Sequence, residues 1–139
     1  YKRHLPVPCP VAAQVIRRGV VYQANIITKC IKNTRSWGSM VISGEVKKSH
    51  WRSIGLTLRR FHDEGVNHVD LNAHNILIDT SNRVFLVDFD RSAIASDGAW
   101  KKENIKRLLR SLRKLSLETS VVFDETGWKE LLSGYNSGL

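Results

Sequence analysis

Residues 66–91 decide the fold, and they read VNHVDLNAHNILIDTSNRVFLVDFDR. A polar loop is followed by two short apolar runs, residues 76–78 and 84–87, with a cluster of turn-forming residues between them. Two apolar runs on either side of a turn predict a small β-hairpin. The hairpin would return Asp88 to Asn75, so that a carboxylate and an amide oxygen meet at one point. Oxygen ligands of this kind suit a hard cation such as magnesium.

The polar loop carries the spacing His68-x-Asp70-Leu71-x-x-x-Asn75, which resembles the catalytic loop of the protein-kinase-like superfamily. The second run ends in Asp88-Phe89-Asp90, where that superfamily has its metal-binding Asp-Phe-Gly. Two linked motifs in the right order are more specific than either motif alone. Aspartate instead of glycine at position 90 departs from the protein kinases and favours a more fixed segment, as in sugar kinases.

Residues 71–77 and 87–91 resemble more specifically the 3-deoxy-D-manno-octulosonic acid (Kdo) kinases of lipopolysaccharide synthesis. The resemblance extends from the early prolines to about Lys114. It includes residues 8–13 (PCPVAA) and, further along, Trp100, Asn104, Arg107, Leu108, Arg110, Ser111 and Leu112.

The resemblance implies an α+β, protein-kinase-like fold, represented here by the C-terminal lobe and the last strands of the N-terminal lobe. Residues 1–31 would end the N-terminal lobe as a β-hairpin around Gly19. Residues 32–44 would connect the lobes, and residues 45–139 would form the C-terminal lobe. The glycine-rich loop and the phosphate-gripping lysine of the superfamily would lie before Tyr1, so we expect a fragment whose N-terminal part is missing.

The resemblance also assigns roles in phosphoryl transfer. Asp70 would be the catalytic base, and Asn75 and Asp88 would bind Mg²⁺ and through it the phosphates of ATP. An aspartate is ionised at neutral pH and can accept a proton late in the reaction. Each of these residues also has a purely structural alternative. Asp70 could be a loop carboxylate that caps backbone amides, Asn75 a turn amide, and Asp88 a cap at the end of a strand. His68 is predicted to hold the loop by hydrogen bonds rather than to carry a proton.

Further contacts follow from the same resemblance. The adenine of ATP would lie near Ile31 and over Leu77 and Val87, although the last two are equally well explained as hairpin core. His74 and Arg91 would contact the acceptor, since a guanidinium matches a carboxylate or a phosphate. A plain surface histidine and a salt bridge from Arg91 to a neighbouring aspartate stay open as alternatives.

Apolar residues at three- and four-residue steps predict helices in the second half of the chain. One is capped by Ser49 and ends at Gly65, one covers residues 101–117, and a short one follows Asp124. By contrast, residues 32–44 have few apolar anchors, and Arg35 and Trp37 are expected to be exposed linker side chains unless they touch substrate. Cys9 and Cys30 match no zinc spacing and are predicted to be reduced core residues, which favours the cytoplasm.

The 139 residues carry 22 Lys and Arg against 13 Asp and Glu, a formal charge of +9. This balance favours an anionic partner. Residues 101–117 combine an apolar stripe with a basic face, which is either solvated or held near anionic lipid headgroups. Aromatic residues are not interleaved with the basic stripe, so no nucleic acid is expected. No apolar run reaches the roughly 20 residues of a spanning helix, so any membrane contact is expected to be peripheral.

The sequence thus predicts an ATP- and Mg²⁺-dependent kinase that phosphorylates a hydroxyl of Kdo on a lipid A precursor, at the cytoplasmic face of the bacterial inner membrane. Two alternatives remain. One is another protein-kinase-like phosphotransferase, either an atypical protein kinase or an aminoglycoside-type enzyme. The other is a catalytically dead, basic binding module.

Overall fold

The structure is a computed structural model, and it describes residues 4–137. The fold is α+β, as predicted. Its strands are β1 (Pro10–Arg18), β2 (Val21–Thr28), β3 (Thr34–Ser36), β4 (Val66–Asn67), β5 (Ile76–Asp79), β6 (Val84–Leu86) and β7 (Ala93–Ile94). Its helices are α1 (Trp37–Ile42), α2 (Lys48–Asp63), α3 (Trp100–Thr119) and α4 (Glu125–Asn136).

Strands β1 and β2 form the predicted antiparallel hairpin around Gly19. The register runs from Pro10 opposite Thr28 to Arg18 opposite Val21. Gly19 has a φ of +62°, a conformation that costs glycine little. Every residue of β1 is exposed. The hairpin is therefore a ribbon that extends away from the core.

Strands β3, β5 and β6 form a small antiparallel sheet in that order. The pairing of Ile76 with Leu86 and of Ile78 with Val84 confirms the hairpin predicted from residues 66–91, and all four side chains are buried. Asp79 closes the turn. Its carboxylate accepts hydrogen bonds from the backbone N–H groups of residues 81 and 83 and from the guanidinium of residue 83. Burial by itself raises the pKa of Asp79, but these hydrogen bonds lower it overall.

Helix α2 is the centre of the core. It buries Ile54, Leu58 and Phe61 against the sheet and the other helices. Its closest neighbour is α4, because glycines let the two backbones approach. A Cβ at Gly55 would lie 2.0 Å from the carbonyl oxygen of Leu131. Any larger residue at position 55 would force the two helices apart.

Both ends of α2 can be compared with the sequence. Gly65 has a φ of +72° just after the helix, so the predicted terminator is confirmed. The predicted cap is wrong: Ser49 lies inside the helix and Lys47 is the capping residue. The backbone N–H of Lys47 donates to Nδ1 of His50 at 3.0 Å. The imidazole ring thus satisfies the backbone N–H of the capping residue, whereas the predicted hydroxyl would have accepted from N–H groups of the first helical turn.

Residues 32–44 are more ordered than a linker. They form β3 and α1, with the Ser36 hydroxyl accepting from the backbone N–H of Ser39 at the start of the helix. The expectation of an exposed Trp37 is wrong, because Trp37 is fully buried and packs edge-on against Trp51 at 4.8 Å. Met40, one turn later, is buried beside it. Two large apolar residues on one turn are enough to fix a six-residue helix to the core. Arg35, in contrast, is exposed as predicted, and it forms an ion pair with Glu45.

The cysteines are free, but neither belongs to the core. Cys9 is half-buried and Cys30 is exposed. They flank the β1–β2 hairpin, whose faces are uncovered, so apolar neighbours in the sequence do not produce burial here.

Helix α3 presents the predicted apolar stripe to the core through Leu108, Leu112 and Leu115. Helix α4 begins at the predicted cap, where the Asp124 carboxylate accepts from the backbone N–H of Gly127 at 2.7 Å. Within residues 4–137 no helix is both long and apolar enough to cross a bilayer.

His62 makes the fold sensitive to acid. It is a buried residue of α2, and its ring forms a 2.6 Å hydrogen bond with the hydroxyl of Tyr135 on α4. Burial lowers the pKa of His62 to about 4. Because the unfolded chain then binds the proton more readily, stability falls as the pH drops from about 6.5 to about 4, by up to about 1.4 kcal/mol per pH unit.

We therefore expect His62→Phe to lose part of this pH dependence, measured as the urea midpoint at pH 7 and pH 5. Tyr135→Phe, which removes the hydrogen bond but keeps the imidazole, should retain the slope of the parent. An equal slope in His62→Phe and the parent would contradict the assignment.

Candidate functional site

His68 fixes the loop on which the candidate site is built. Its backbone N–H donates to Oδ1 of Asn104 on α3 at 3.1 Å. Its ring Nε2 is 2.8 Å from the carbonyl oxygen of Val87, and since a carbonyl only accepts, Nε2 is the donor. The side chain is 2% exposed. The predicted structural role of His68 is confirmed: it ties the loop to the end of β6 and to α3.

Asn104 is a residue whose role the motif spacing did not predict. Besides accepting from His68, it donates through Nδ2 to Oδ1 of Asn67 at 2.9 Å. The signal in the sequence is an asparagine four residues before Leu108, on the apolar side of the helix. In the structure Asn104 is 4% exposed, and buried amides require partners.

The aromatic ring of Phe89 holds the segment after β6. It stacks on Phe61 of α2 with ring centroids 5.9 Å apart, and it lies 4.7 Å from the His68 ring. Asp88 and Asp90, on either side of Phe89, are both exposed. One side chain directed into the protein thus leaves its two acidic neighbours facing out.

Asparagine side chains shape the loop around Asp70. Asn72 begins a short 3₁₀ turn at Ala73–Asn75 by accepting from the backbone N–H groups of His74 and Asn75 at 2.9 and 3.2 Å. The Nδ2 atoms of Asn72 and Asn75 both donate to the carbonyl oxygen of Asp70, at 3.1 and 3.0 Å. These bonds fix the backbone of Asp70 and leave its carboxylate exposed.

The predicted return of Asp88 to Asn75 is confirmed, but the contact is made by the amide nitrogen of Asn75, and the predicted meeting of a carboxylate with the amide oxygen stays a prediction. The backbone N–H of Val87 donates to the carbonyl oxygen of Asn75 at 3.0 Å, which extends the β5–β6 ladder by one step. Oδ2 of Asp88 then lies 3.5 Å from Nδ2 of Asn75. Asp88 has a φ of +64°, a region that non-glycine residues occupy only at a cost of about 1–3 kcal/mol.

The same two side chains determine whether a metal fits. Nδ2 of Asn75 is occupied by the Asp70 carbonyl, so its Oδ1 faces away from that bond, and no hydrogen bond to Oδ1 occurs within residues 4–137. Over the same range no group of three His, Cys, Asp or Glu side chains is placed to hold a metal ion. One carboxylate and one amide oxygen fit Mg²⁺, which usually takes its remaining ligands from water and phosphates.

The other predicted site residues are less tightly gathered. His74 is exposed, and its ring packs so closely on α1 that a Cβ at Gly38 would lie 2.6 Å from it. Arg91 is exposed, and the predicted alternative of a salt bridge to Asp88 or Asp90 is absent from the described residues. The substrate roles of His74 and Arg91 stay predictions.

A cavity of about 790 Å³ lies next to Asp88. Of the residues expected to contact adenine, Val87 lines this cavity, whereas Ile31 and Leu77 do not. Leu77 pairs with Phe85 across the β5–β6 hairpin, and the carbonyl oxygen of Ile31 accepts from the Thr34 hydroxyl at 2.8 Å. The nucleotide contacts of these three residues stay predictions.

The α+β fold and a loop that pairs these two motifs define a kinase-like class of protein. Within that class, the chain belongs to the lipopolysaccharide kinase (Kdo/WaaP) family, whose family model matches residues 1–135.

Curated relatives agree with this family. The chain is 47% identical over 120 residues to a 3-deoxy-D-manno-octulosonic acid kinase of Xylella fastidiosa (strain M12), a match that covers 86% of the chain and 48% of the relative. It is 39% identical over 124 residues to the enzyme of that name from Vibrio parahaemolyticus serotype O3:K6, covering 89% and 50%. For the Haemophilus influenzae (strain PittEE) enzyme the identity is 36% over 141 residues, covering 98% and 58%. The chain thus spans about half the length of these relatives.

The backbone of Asp88 allows a test of stability apart from function. Asp88→Gly should stay within about 1 kcal/mol of the parent, because glycine adopts a positive φ freely but loses more entropy on folding. Asp88→Val should lose about 1–2 kcal/mol or more, because a β-branched side chain clashes in this conformation. Urea denaturation of the two variants measures the difference. Equal midpoints for glycine and valine would contradict the positive φ at this position.

Proposed function

We propose that the chain forms the catalytic part of an ATP- and Mg²⁺-dependent kinase that transfers the terminal phosphate of ATP to a hydroxyl of a Kdo residue on a lipid A precursor. The observation that carries this proposal is the meeting of Asn75 and Asp88 beside the fixed backbone of Asp70. Membership of the Kdo/WaaP family and the names of the curated relatives support the choice of acceptor.

In this proposal the residues of the chain bind the metal, orient the acceptor hydroxyl and accept its proton. The Asp70 carboxylate, exposed and without a hydrogen-bond partner in the described part of the chain, orients the acceptor hydroxyl and takes its proton. Asp88 and Oδ1 of Asn75 would hold the metal ion. Mg²⁺, when bound, supplies positive charge that neutralises the phosphate oxygens. A neutral amide next to a single carboxylate limits repulsion of the anionic nucleotide.

The remaining parts of the proposal concern architecture and place. Residues 1–31, which contain the β1–β2 hairpin, are assigned to the end of an N-terminal lobe, residues 32–44 to the connection between the lobes and residues 45–139 to a C-terminal lobe, with ATP between the lobes. The uncovered faces of the hairpin are consistent with this assignment. The acceptor is a membrane lipid, so the enzyme is assigned to the cytoplasmic face of the inner membrane, as a peripheral protein.

Phosphate transfer in the complete polypeptide tests the catalytic roles. Asp70→Ala and Asp88→Ala should each remove nearly all transfer of labelled phosphate from ATP to a Kdo–lipid A precursor, with a loss of at least about 10²–10⁴-fold for the base. Asp63→Ala removes an equally exposed carboxylate, paired with Arg59 on α2, and should keep the activity of the parent. Retained transfer in either site variant would reject its assigned role.

The same assay separates the alternatives when protein, aminoglycoside and Kdo–lipid A acceptors are offered side by side. Labelling of a protein or an aminoglycoside alone would favour another kinase-like phosphotransferase. No labelling of any acceptor, with nucleotide binding also absent, would favour the dead binding module.

Binding can be measured apart from chemistry. ATP at a hundred times its Kd should stabilise the complete polypeptide by about 2.7 kcal/mol in the presence of Mg²⁺. Asp88→Asn should lose most of this thermal shift because it removes the charged metal ligand, whereas Asp70→Asn should keep it because a base is not needed for binding. Chelation of the metal should abolish the shift in the parent. A shift that persists in Asp88→Asn would contradict the metal role.

A further inference from the structure

The outward side of α3 carries a concentrated positive charge. Its inward side is occupied by Leu108, Leu112 and Leu115, which belong to the core. The outward side, here called the basic face, consists of the exposed cations Lys102, Lys106, Arg107, Arg110, Arg113 and Lys114. Two exposed acids, Glu103 and Glu118, share it. The face therefore keeps an excess of four positive charges.

Much of this charge is not used by the fold. Glu103 pairs with Lys106, and Glu118 lies 3.6 Å from Lys114. Lys102, Arg107 and Arg110 form no ion pair or hydrogen bond within residues 4–137. Lys106 is the main cause of the lowered pKa of Glu103, and Arg110 and Arg107 contribute to it only at longer range. Like charges on neighbouring turns repel one another, so an anionic partner on this face would relieve the repulsion.

An apolar group stands at the C-terminal end of the basic face. Leu117 is 86% exposed and Val122 is 88% exposed. Leu117 follows Arg110 and Arg113 by seven and four residues, so the three side chains lie on one stripe of the helix. Arg113 also lies over the ring of Phe123 at 5.8 Å. The row of cations therefore ends next to exposed apolar side chains. Cations suit the headgroup layer of a bilayer, and apolar side chains suit the upper acyl layer.

Helix α3 is also joined to the candidate site. The hydroxyl of Ser111 accepts from the backbone N–H of Ala73 at 3.0 Å, and Asn104 holds His68. Ser111 lies at the edge of the basic face, one turn from Arg107 and from Lys114. The basic face therefore belongs to the same helix that holds the Asp70 loop in place, and the two are joined at Ser111.

We propose that the basic face, together with Leu117 and Val122, is a docking surface for an anionic lipid bilayer. The apolar side of α3 is committed to the core, so the helix lies on the headgroups without turning into the membrane, and only Leu117 and Val122 enter the acyl boundary. Docking in this orientation brings a membrane-anchored acceptor to the Asp70 loop without extraction from the bilayer. This last consequence rests on the proposed function, whereas the docking surface does not.

Co-sedimentation of the complete polypeptide with vesicles tests the surface. Vesicles of phosphatidylglycerol and phosphatidylethanolamine should bind the parent, and vesicles of phosphatidylcholine alone should not. The triple variant Lys102→Gln, Arg107→Gln, Arg110→Gln removes the three unpaired cations without breaking an ion pair. It should partition about a hundredfold less, since each cation near an anionic surface is worth roughly fivefold.

The matched control removes three exposed, unpaired cations from other elements: Arg18→Gln, Arg52→Gln, Lys129→Gln. It has the same net charge as the triple variant and should bind vesicles as the parent does. A second variant, Leu117→Asp, should weaken vesicle binding although it removes no cation. Equal losses in the control and the triple variant would overturn the proposal, because attraction would then follow net charge and not this face.

Two further results separate this proposal from others. Binding of RNA or DNA by the parent, lost in the triple variant while vesicle binding is absent, would overturn it in favour of a nucleic-acid surface. Vesicle binding that follows the expected pattern while no acceptor is phosphorylated would support the docking surface and reject the proposed function alone.

Discussion

The hydrogen bonds made by His68 are the constraint on which the site depends. One reaches α3 through Asn104 and the other reaches the last residue before Asp88 through the Val87 carbonyl. A polar loop, a hairpin and a helix that are distant in sequence are thereby held together around one buried ring. Buried bonds of this kind are costly to leave unmade, so they favour the arrangement in which the three elements meet. The exposed carboxylates of Asp70 and Asp88 are thus positioned by hydrogen bonds in which they take no part.

The centre of the chain was predictable because its signals are local and agree with one another. Alternating apolar runs around a turn give β5 and β6, and the hairpin geometry then brings Asp88 to Asn75 whatever surrounds it. Helix α3 was equally predictable, since Leu108, Leu112 and Leu115 recur at the period of a helix. The resemblance between motifs added the chemical interpretation, which the spacing alone could not provide.

The failures concern features that carry no periodic signal in the sequence. Trp37 stands in a stretch rich in Ser and Gly, and it is buried because it packs against Trp51 and joins the core. Cys9 and Cys30 have apolar neighbours in sequence but flank a ribbon without a covered face. At the start of α2 the ring of His50 accepts from the backbone N–H of Lys47, and Ser49 does not cap the helix, although hydroxyls are the usual preference.

The β1–β2 ribbon has a consequence for assembly. Within residues 4–137 its two outer edges pair with no other strand, although β1 is nine and β2 eight residues long. Unpaired main-chain amides and carbonyls along such an edge are a template for β-augmentation by a further strand. The ribbon therefore determines where a larger sheet can grow, and when nothing is added, its edges are the place at which two copies would adhere.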